Sequence, residues 1–201
     1  MELTDKLRSE YAQRFATCIL NPSRKVETAQ IIARFIRGRE RYDTVSAVTS
    51  VPWFIIAVIH DMECSNRFDC HLHNGDPLDR RTVQDPKGRP PDGTPPFSWE
   101  ASAEDALRYE HFDAWTDWTV VGTLYKLELY NGPGYRNKGV SDPYLWGASQ
   151  FYQNGKFIKD HFFDRHAVSD QIGAAVILRQ LSDAGVIEFQ APPDTISRCE
   201  P

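Results

Sequence analysis

The stretch "VPWFIIAVIHDMEC", Val51–Cys64, decides the reading of this chain. Its first nine positions are apolar almost without a break, and Ser50 and Pro52 supply a cap and a first-turn proline for a helix. A helix from about Pro52 to Cys64 would be hydrophobic nearly all round, which predicts a central, buried element. Near its C-terminal end stands a lone glutamate, Glu63. Desolvation by the apolar surroundings and the negative end of the helix dipole both raise a carboxyl pKa. Both therefore favour the neutral acid, the form that can protonate a glycosidic oxygen near neutral pH. The plainer alternative is a glutamate that reaches solvent past the helix end.

Outward from this helix, the first 48 residues read as helices. "TDKLRSEYAQRFATCIL" is followed by a break at "NPS" and then by "ETAQIIARFIRGRERY", whose apolar residues have helical spacing. Residues 69–98 differ: Asn74-Gly75, Asp76-Pro77, Lys87-Gly88, Pro90-Pro91, Asp92-Gly93 and Pro95-Pro96 are turn chemistry, with room for a small hairpin. A loop this long inside a compact domain is usually functional, and its histidines and aromatics suit one wall of a cleft. Helical pattern returns at "SWEASAEDALRYE" behind a Ser98 cap, and at "AWTDWTVVGTLYKLELY", where Trp118, Val121, Tyr125 and Leu129 form a stripe. "NGPGYRNKGVSDP" is irregular, and "SDQIGAAVILRQLSDAG" is a last helix capped by Ser169 and stopped at Gly185. The expected fold is mainly α with a loop lobe (an α+β balance), in one domain over residues 1–201 with a C-terminal tail from 186 to 201.

Composition narrows the function classes. The net charge is −5, from 23 basic and 28 acidic residues, so neither a nucleic-acid surface nor capture of anionic membranes is expected. The 5 Trp, 8 Tyr and 11 Phe could hold an uncharged polymer in a cleft, although most aromatics in any domain are core. "MELTDKLRSEYAQRF" is charged where a secretory leader would be apolar, and "VPWFIIAVI" is far shorter than the ~20 residues that cross a bilayer. The expectation is synthesis in the cytoplasm without membrane insertion. Cys64 and Cys70 are close enough in sequence for a disulfide across a turn, and two free thiols are the other reading.

"AVIHDMECSNRF" resembles the helix of soluble lytic transglycosylases and goose-type lysozymes, in which an apolar helix ends in Glu-Ser and a polar turn leads to Phe. Here Cys64 follows Glu63, and Ser65 comes next. "LELYNGPGY" is similar to the Tyr-Asn motif of the same superfamily through Tyr130, Asn131 and Gly132, in the same order along the chain. The longer pattern "HLHNGDPL…GRP…GTPPFSWE…YNGPGYR…SDPYLWG" resembles a lysozyme-like group of bacterial and phage genomes, and the likeness covers roughly residues 45–180. No counterpart of the superfamily's Gly-Leu-Met-Gln motif is present.

The resemblance implies a lysozyme-like glycosidase that cuts the β-1,4 bond between N-acetylmuramic acid and N-acetylglucosamine in peptidoglycan strands, with Glu63 as catalytic acid and no cofactor. It assigns Tyr130 and Asn131 to substrate or acid positioning. An inverting hydrolase would add a base that activates water, the two carboxyls lying roughly 6.5–9.5 Å apart, whereas a lytic transglycosylase uses the sugar's own 6-hydroxyl. Asp76, in the loop wall, is the first candidate for that base, a turn-forming aspartate before Pro77 being the alternative. Asp85 and Glu100 are weaker ones, and Thr82 could hold a water. Trp99, Tyr135, Tyr144 and Trp146 could stack on sugar rings, and His71 or His73 could line the cleft.

Action on the wall would require delivery to the periplasm, through a pore partner during phage lysis or a secretion machine, with an immunity protein as a further partner. Two other classes remain open. His60 and Glu63 at i, i+3, with His71 and His73, offer zinc-type ligands without any established spacing. A non-catalytic wall-binding module is the third, and a glutamate kept at the motif position argues against it.

Overall fold

The computed structural model describes residues 1–159 and 162–192. Nine helices carry the fold among these residues: α1 Asp5–Ala16, α2 Lys25–Arg37, α3 Arg39–Thr49, α4 Trp53–Cys64, α5 Trp99–Tyr109, α6 Val120–Asn131, the short α7 Gly134–Asn137 and α8 Pro143–Trp146, and α9 Ala174–Asp183. Two antiparallel strands, β1 Lys156–Lys159 and β2 Phe162–Asp164, pair Phe157 with Phe163. The protein is mainly α with one small sheet. Part of the expected tail, residues 193–201, lies outside the described residues, as does Cys199.

The Val51–Cys64 stretch forms the centre. Every residue of α4 from Trp53 to His60 is buried, and the helix packs on α2, α3 and α9. Full burial of each Ile, Val or Phe side chain stabilises the fold by about 1.5–3 kcal/mol, so this helix is where truncation would cost most. No single helix among the described residues is long and apolar enough to cross a membrane, and α3 and α4 meet at a bend of 114°.

Three boundaries differ from the sequence reading. The helix expected through "ETAQIIARFIRGRERY" breaks at Gly38 into α2 and α3. A Cβ there would stand 2.9 Å from both Phe68 Cζ and Tyr42 Cε2, so only glycine lets the aromatic cluster close over the bend. Ser50 does not cap α4; it ends α3 with a left-handed backbone at φ 60°, and Pro52 takes the N-cap position of α4. Nor does Ser169 cap the last helix, which begins after Gly173, where a Cβ would meet the Leu145 carbonyl oxygen at 2.2 Å. The last helix ends at Asp183, just before left-handed Gly185 at φ 66°, as expected.

Ser98 caps α5 as read, accepting from the Ala101 amide at 3.2 Å. Thr119 caps α6, so Trp118 precedes the helix; of the anticipated stripe Trp118 and Tyr125 are buried, and Val121 and Leu129 pack partly buried against the core. Leu124, Leu127 and Glu128 are buried as well. Glu128, buried at the α1–α6 contact, receives Tyr11 and a two-pronged bond from Arg136 at 2.6 and 2.8 Å. Residues 69–98 contain no helix or strand; an isolated antiparallel bridge, Cys70 with Pro77, is all that forms of the expected hairpin.

Candidate active site

Glu63 occupies the last turn of α4, and the chain leaves the helix through two successive left-handed residues, Ser65 and Asn66. Asparagine tolerates that conformation, and here its side chain also locks the exit. Asn66 Oδ1 accepts from Arg34 at 3.1 Å, while its amide donates to the Ala57 carbonyl at 3.4 Å. The glutamate is thus delivered by a rigid element and a pinned turn.

Two tyrosines from the far half of the chain meet it. Tyr144 donates its hydroxyl to Glu63 Oε1 at 3.4 Å, and the Tyr130 hydroxyl lies beside the carboxylate. The two rings pack edge to face at 6.2 Å, with Phe112 edge-on behind Tyr130 at 5.4 Å. Burial pushes the Glu63 carboxyl up to about 7, the tyrosine hydroxyls pulling it down less than desolvation and the charge of Glu110 push it up. At neutral pH a large share of Glu63 is therefore the protonated acid. Burial, and then the negative charge of Glu63, drive both tyrosine hydroxyls well above their ordinary range. They remain neutral donors.

Two cavities adjoin this group. Tyr144 lines an open cleft of about 350 Å³ with Asn131, Tyr135, Lys156, Asp170 and Gln171. Tyr130 lines a small enclosed one, about 20 Å³, with Ile59, His73 and Glu110. Ile59 precedes Glu63 by one helical turn and shares its face.

Of the residues named from sequence, the structure brings Tyr130 and Tyr144 to Glu63, while Tyr135 and Asn131 line the cleft beside Tyr144. The Asn131 amide donates to both Asp142 oxygens, at 3.0 and 2.9 Å. Asp142 is itself buried, which raises its pKa to about 7 against the bonds from Asn131 and the Tyr144 amide. Tyr135 packs on Phe157 and Phe163, and its hydroxyl accepts from the Phe157 amide at 3.3 Å.

Others are placed elsewhere. Asp76 is buried, and its carboxylate is used by its own loop: Oδ2 accepts from the Val83 and Gln84 amides at 2.8 and 3.0 Å, and Oδ1 from the Gln84 side chain at 3.1 Å. Burial raises its pKa, but these bonds and Asn74 outweigh that and leave it below the ordinary range. Asp76 spends its carboxylate on ordering the loop wall. Thr82 likewise donates to the Pro86 carbonyl and accepts from the Arg89 amide at 2.9 Å, so it holds the loop and not a water. Glu100 pairs with Arg41, and Asp85 is solvent-exposed.

Trp99 is 1 % exposed, wedged among Tyr42, His60 and Phe68 at 4.7–5.5 Å between ring centres, and Trp146 is equally buried. Both are core, not sugar platforms. Cys64 and Cys70 are free thiols, donating to the His71 and Arg67 carbonyls at 3.2 and 3.3 Å, so the loop is stapled by hydrogen bonds and not by a disulfide.

The zinc reading also fails on geometry. His60 spends its nitrogens on Tyr42 and the Arg67 carbonyl, and His71 on Ser102 and the Arg80 carbonyl. Among the described residues no three His, Cys, Asp or Glu side chains converge to hold a metal. Sequence reasoning singled out neither Glu110, which lies in no quoted motif, nor Asp142, which stands in "SDPYLWG". No family model, curated protein or solved structure matches the chain.

Proposed function

We propose that this protein is a lysozyme-like peptidoglycan glycosidase that cleaves the β-1,4 bond between N-acetylmuramic acid and N-acetylglucosamine. One observation carries the reading: a single glutamate at the end of the buried central helix, its carboxyl pushed up to about 7, beside two tyrosines of which Tyr144 lines an open cleft. That is the environment a general acid for glycoside cleavage needs. A carboxyl kept protonated can give its proton to the leaving oxygen as the sugar gains oxocarbenium character, and the carboxylate left behind lies under the developing positive charge.

The cleft suits an uncharged sugar. Tyr135 offers an aromatic edge, and Lys156 and Gln171 offer donors without a dense field of one sign. The order of the motif residues, Glu63 and then Tyr130-Asn131, supports the same superfamily. The test is a digest of purified peptidoglycan by wild type and Glu63→Gln, with fragments read by mass spectrometry. Disaccharide muropeptides from wild type, and a loss of about 10²–10⁴-fold in Glu63→Gln, are expected. Equal release by the two proteins would sink the glutamate mechanism.

A further inference from the structure

Tyr130 and Tyr144 reach Glu63 from two separate elements, the end of α6 and the first turn of α8. Between them residues 132–142 run irregularly apart from the single turn of α7, with positive φ at Gly132 (86°) and Gly139 (67°). Such a connection does not by itself fix where Tyr144 stands relative to the end of α6. Something must join the two elements.

Asp142 is that join. It stands at the N-cap of α8, where its Oδ1 accepts from the Tyr144 amide at 2.8 Å. The same carboxylate takes Asn131, the last residue of α6, at 3.0 Å on Oδ1 and 2.9 Å on Oδ2. One buried group therefore holds the backbone of Tyr144 with one oxygen and the end of α6 with both. A cap alone does not require a carboxylate, since serine or asparagine serves as well. A buried carboxylate is also costly unless it is paired. Glu10, Arg14, Glu128 and Arg136 line the same pocket as Asp142, but Arg136 is spent on Glu128 and Glu10, and Arg14 on Glu10 and Ser141. Among the described residues only neutral donors satisfy Asp142. What the carboxylate adds is capacity: two oxygens with about four lone-pair sites, where serine brings one oxygen. That capacity lets a single side chain accept from both elements.

Resting on the reading of Glu63 as the catalytic acid, we propose that Asp142 is a positioning residue: with Asn131 as its anchor on α6, it holds Tyr144 where the hydroxyl can donate to Glu63. The path is short and continuous. Asn131 Nδ2 donates to Asp142, Asp142 accepts the Tyr144 amide, and the Tyr144 hydroxyl donates to Glu63 Oε1 at 3.4 Å. That last bond is near the outer limit for a hydrogen bond, so a small slip of α8 would break it. Asn131 lines the open cleft, yet its amide is turned to Asp142, so the joint uses the donor that a sugar would otherwise meet.

The test reads Glu63 directly, by carbon NMR of glutamate-labelled protein, the δ-carbon signal being assigned by its loss in Glu63→Gln. Wild type should titrate at about 7. Asp142→Ala frees Tyr144, and loss of a donor to the charged form should raise that midpoint by about 0.4 of a pH unit. Asn131→Ala removes the anchor but leaves the α8 cap, so it should shift the midpoint the same way, and it carries the test if Asp142→Ala does not fold. Neither change should add to Tyr144→Phe, because both act through that hydroxyl. Asp142→Asn keeps an oxygen for the Tyr144 amide and for Asn131, so its midpoint should match wild type. An unmoved midpoint in the folded alanine variants, or a shift that persists in full beside Tyr144→Phe, overturns the proposal. A downward shift in Asp142→Asn would mean that Asp142 acts by its charge, and overturns it too. These midpoints need no substrate, so they stand apart from the glycosidase reading, which falls if wild type cleaves no glycan. On a glycan that is cleaved, Asn131→Ala should move the basic limb of the activity profile and hold KM. A raised KM with an unmoved limb would make Asn131 a sugar contact and overturn the joint.

Discussion

Glu63 and Asp76 are both carboxyls on the loop side of the central helix, and they titrate in opposite directions. Glu63 ends an apolar helix and meets only two hydroxyls, so desolvation dominates and its pKa rises to about 7. Asp76 is buried as well, yet two backbone amides and two side-chain partners converge on it, and its pKa falls. The number of donors aimed at the charged form, and not depth alone, decides which carboxyl can be an acid. A residue wrapped in amides is a structural anion. One facing apolar walls with few donors is a proton source.

The largest test of that contrast is pH. With Glu63 raised to about 7, the active form is the protonated one, so kcat/KM should be flat on the acid side of that value and fall about tenfold per pH unit above it. Peptidoglycan turbidity assays from pH 5 to 9 would show it. A limb near the ordinary value for glutamate would mean that Glu63 is not the acid, whatever its burial.

Asp76→Asn probes the other side. The amide keeps the shape but loses the charge on which the Val83 and Gln84 amides converge, at a cost of about 1–3 kcal/mol. The sign with pH follows from the lowered pKa: the stabilisation is complete above the unfolded value, near 3.9, and is lost as pH falls through the folded value. Urea unfolding at pH 7 should therefore separate wild type from Asp76→Asn, and at low enough pH the gap should close. A gap that persists once Asp76 of the wild type is protonated would assign the effect to packing.

Some of this was legible in sequence. An all-round apolar helix can only be central, so α4 and the place of Glu63 followed from composition alone, and Ser98 declared the start of α5. The Gly38 break was not legible, since apolar spacing runs in phase through it and the bend answers to Phe68, which packs on Tyr42 from outside the segment. The β1–β2 pair was missed because its strands are only a few residues long. Trp99 flanks a loop, but flanking position does not set side-chain direction, and the ring turns into the core. Glu110 gained its interest from Tyr130, which another helix brings to it, and no local pattern in "YEHFD" could announce that.

Tyr144→Phe is the finest test of the contrast, because it takes one donor from the carboxyl that has few. The bond to Glu63 Oε1 is long, at 3.4 Å, which places its worth near the weak end of such bonds, about 0.5 kcal/mol. Phenylalanine fills the same buried site and keeps the edge-to-face contact with Tyr130. Removing a donor that favours the charged form must move the Glu63 pKa further up, so the basic limb of the activity profile should shift to higher pH while the plateau changes by roughly twofold. A shift to lower pH would mean that the hydroxyl favours the neutral acid, accepting its proton instead of donating to the carboxylate. In that case Tyr130 alone would hold the charged form, and Tyr130→Phe would carry the larger upward shift.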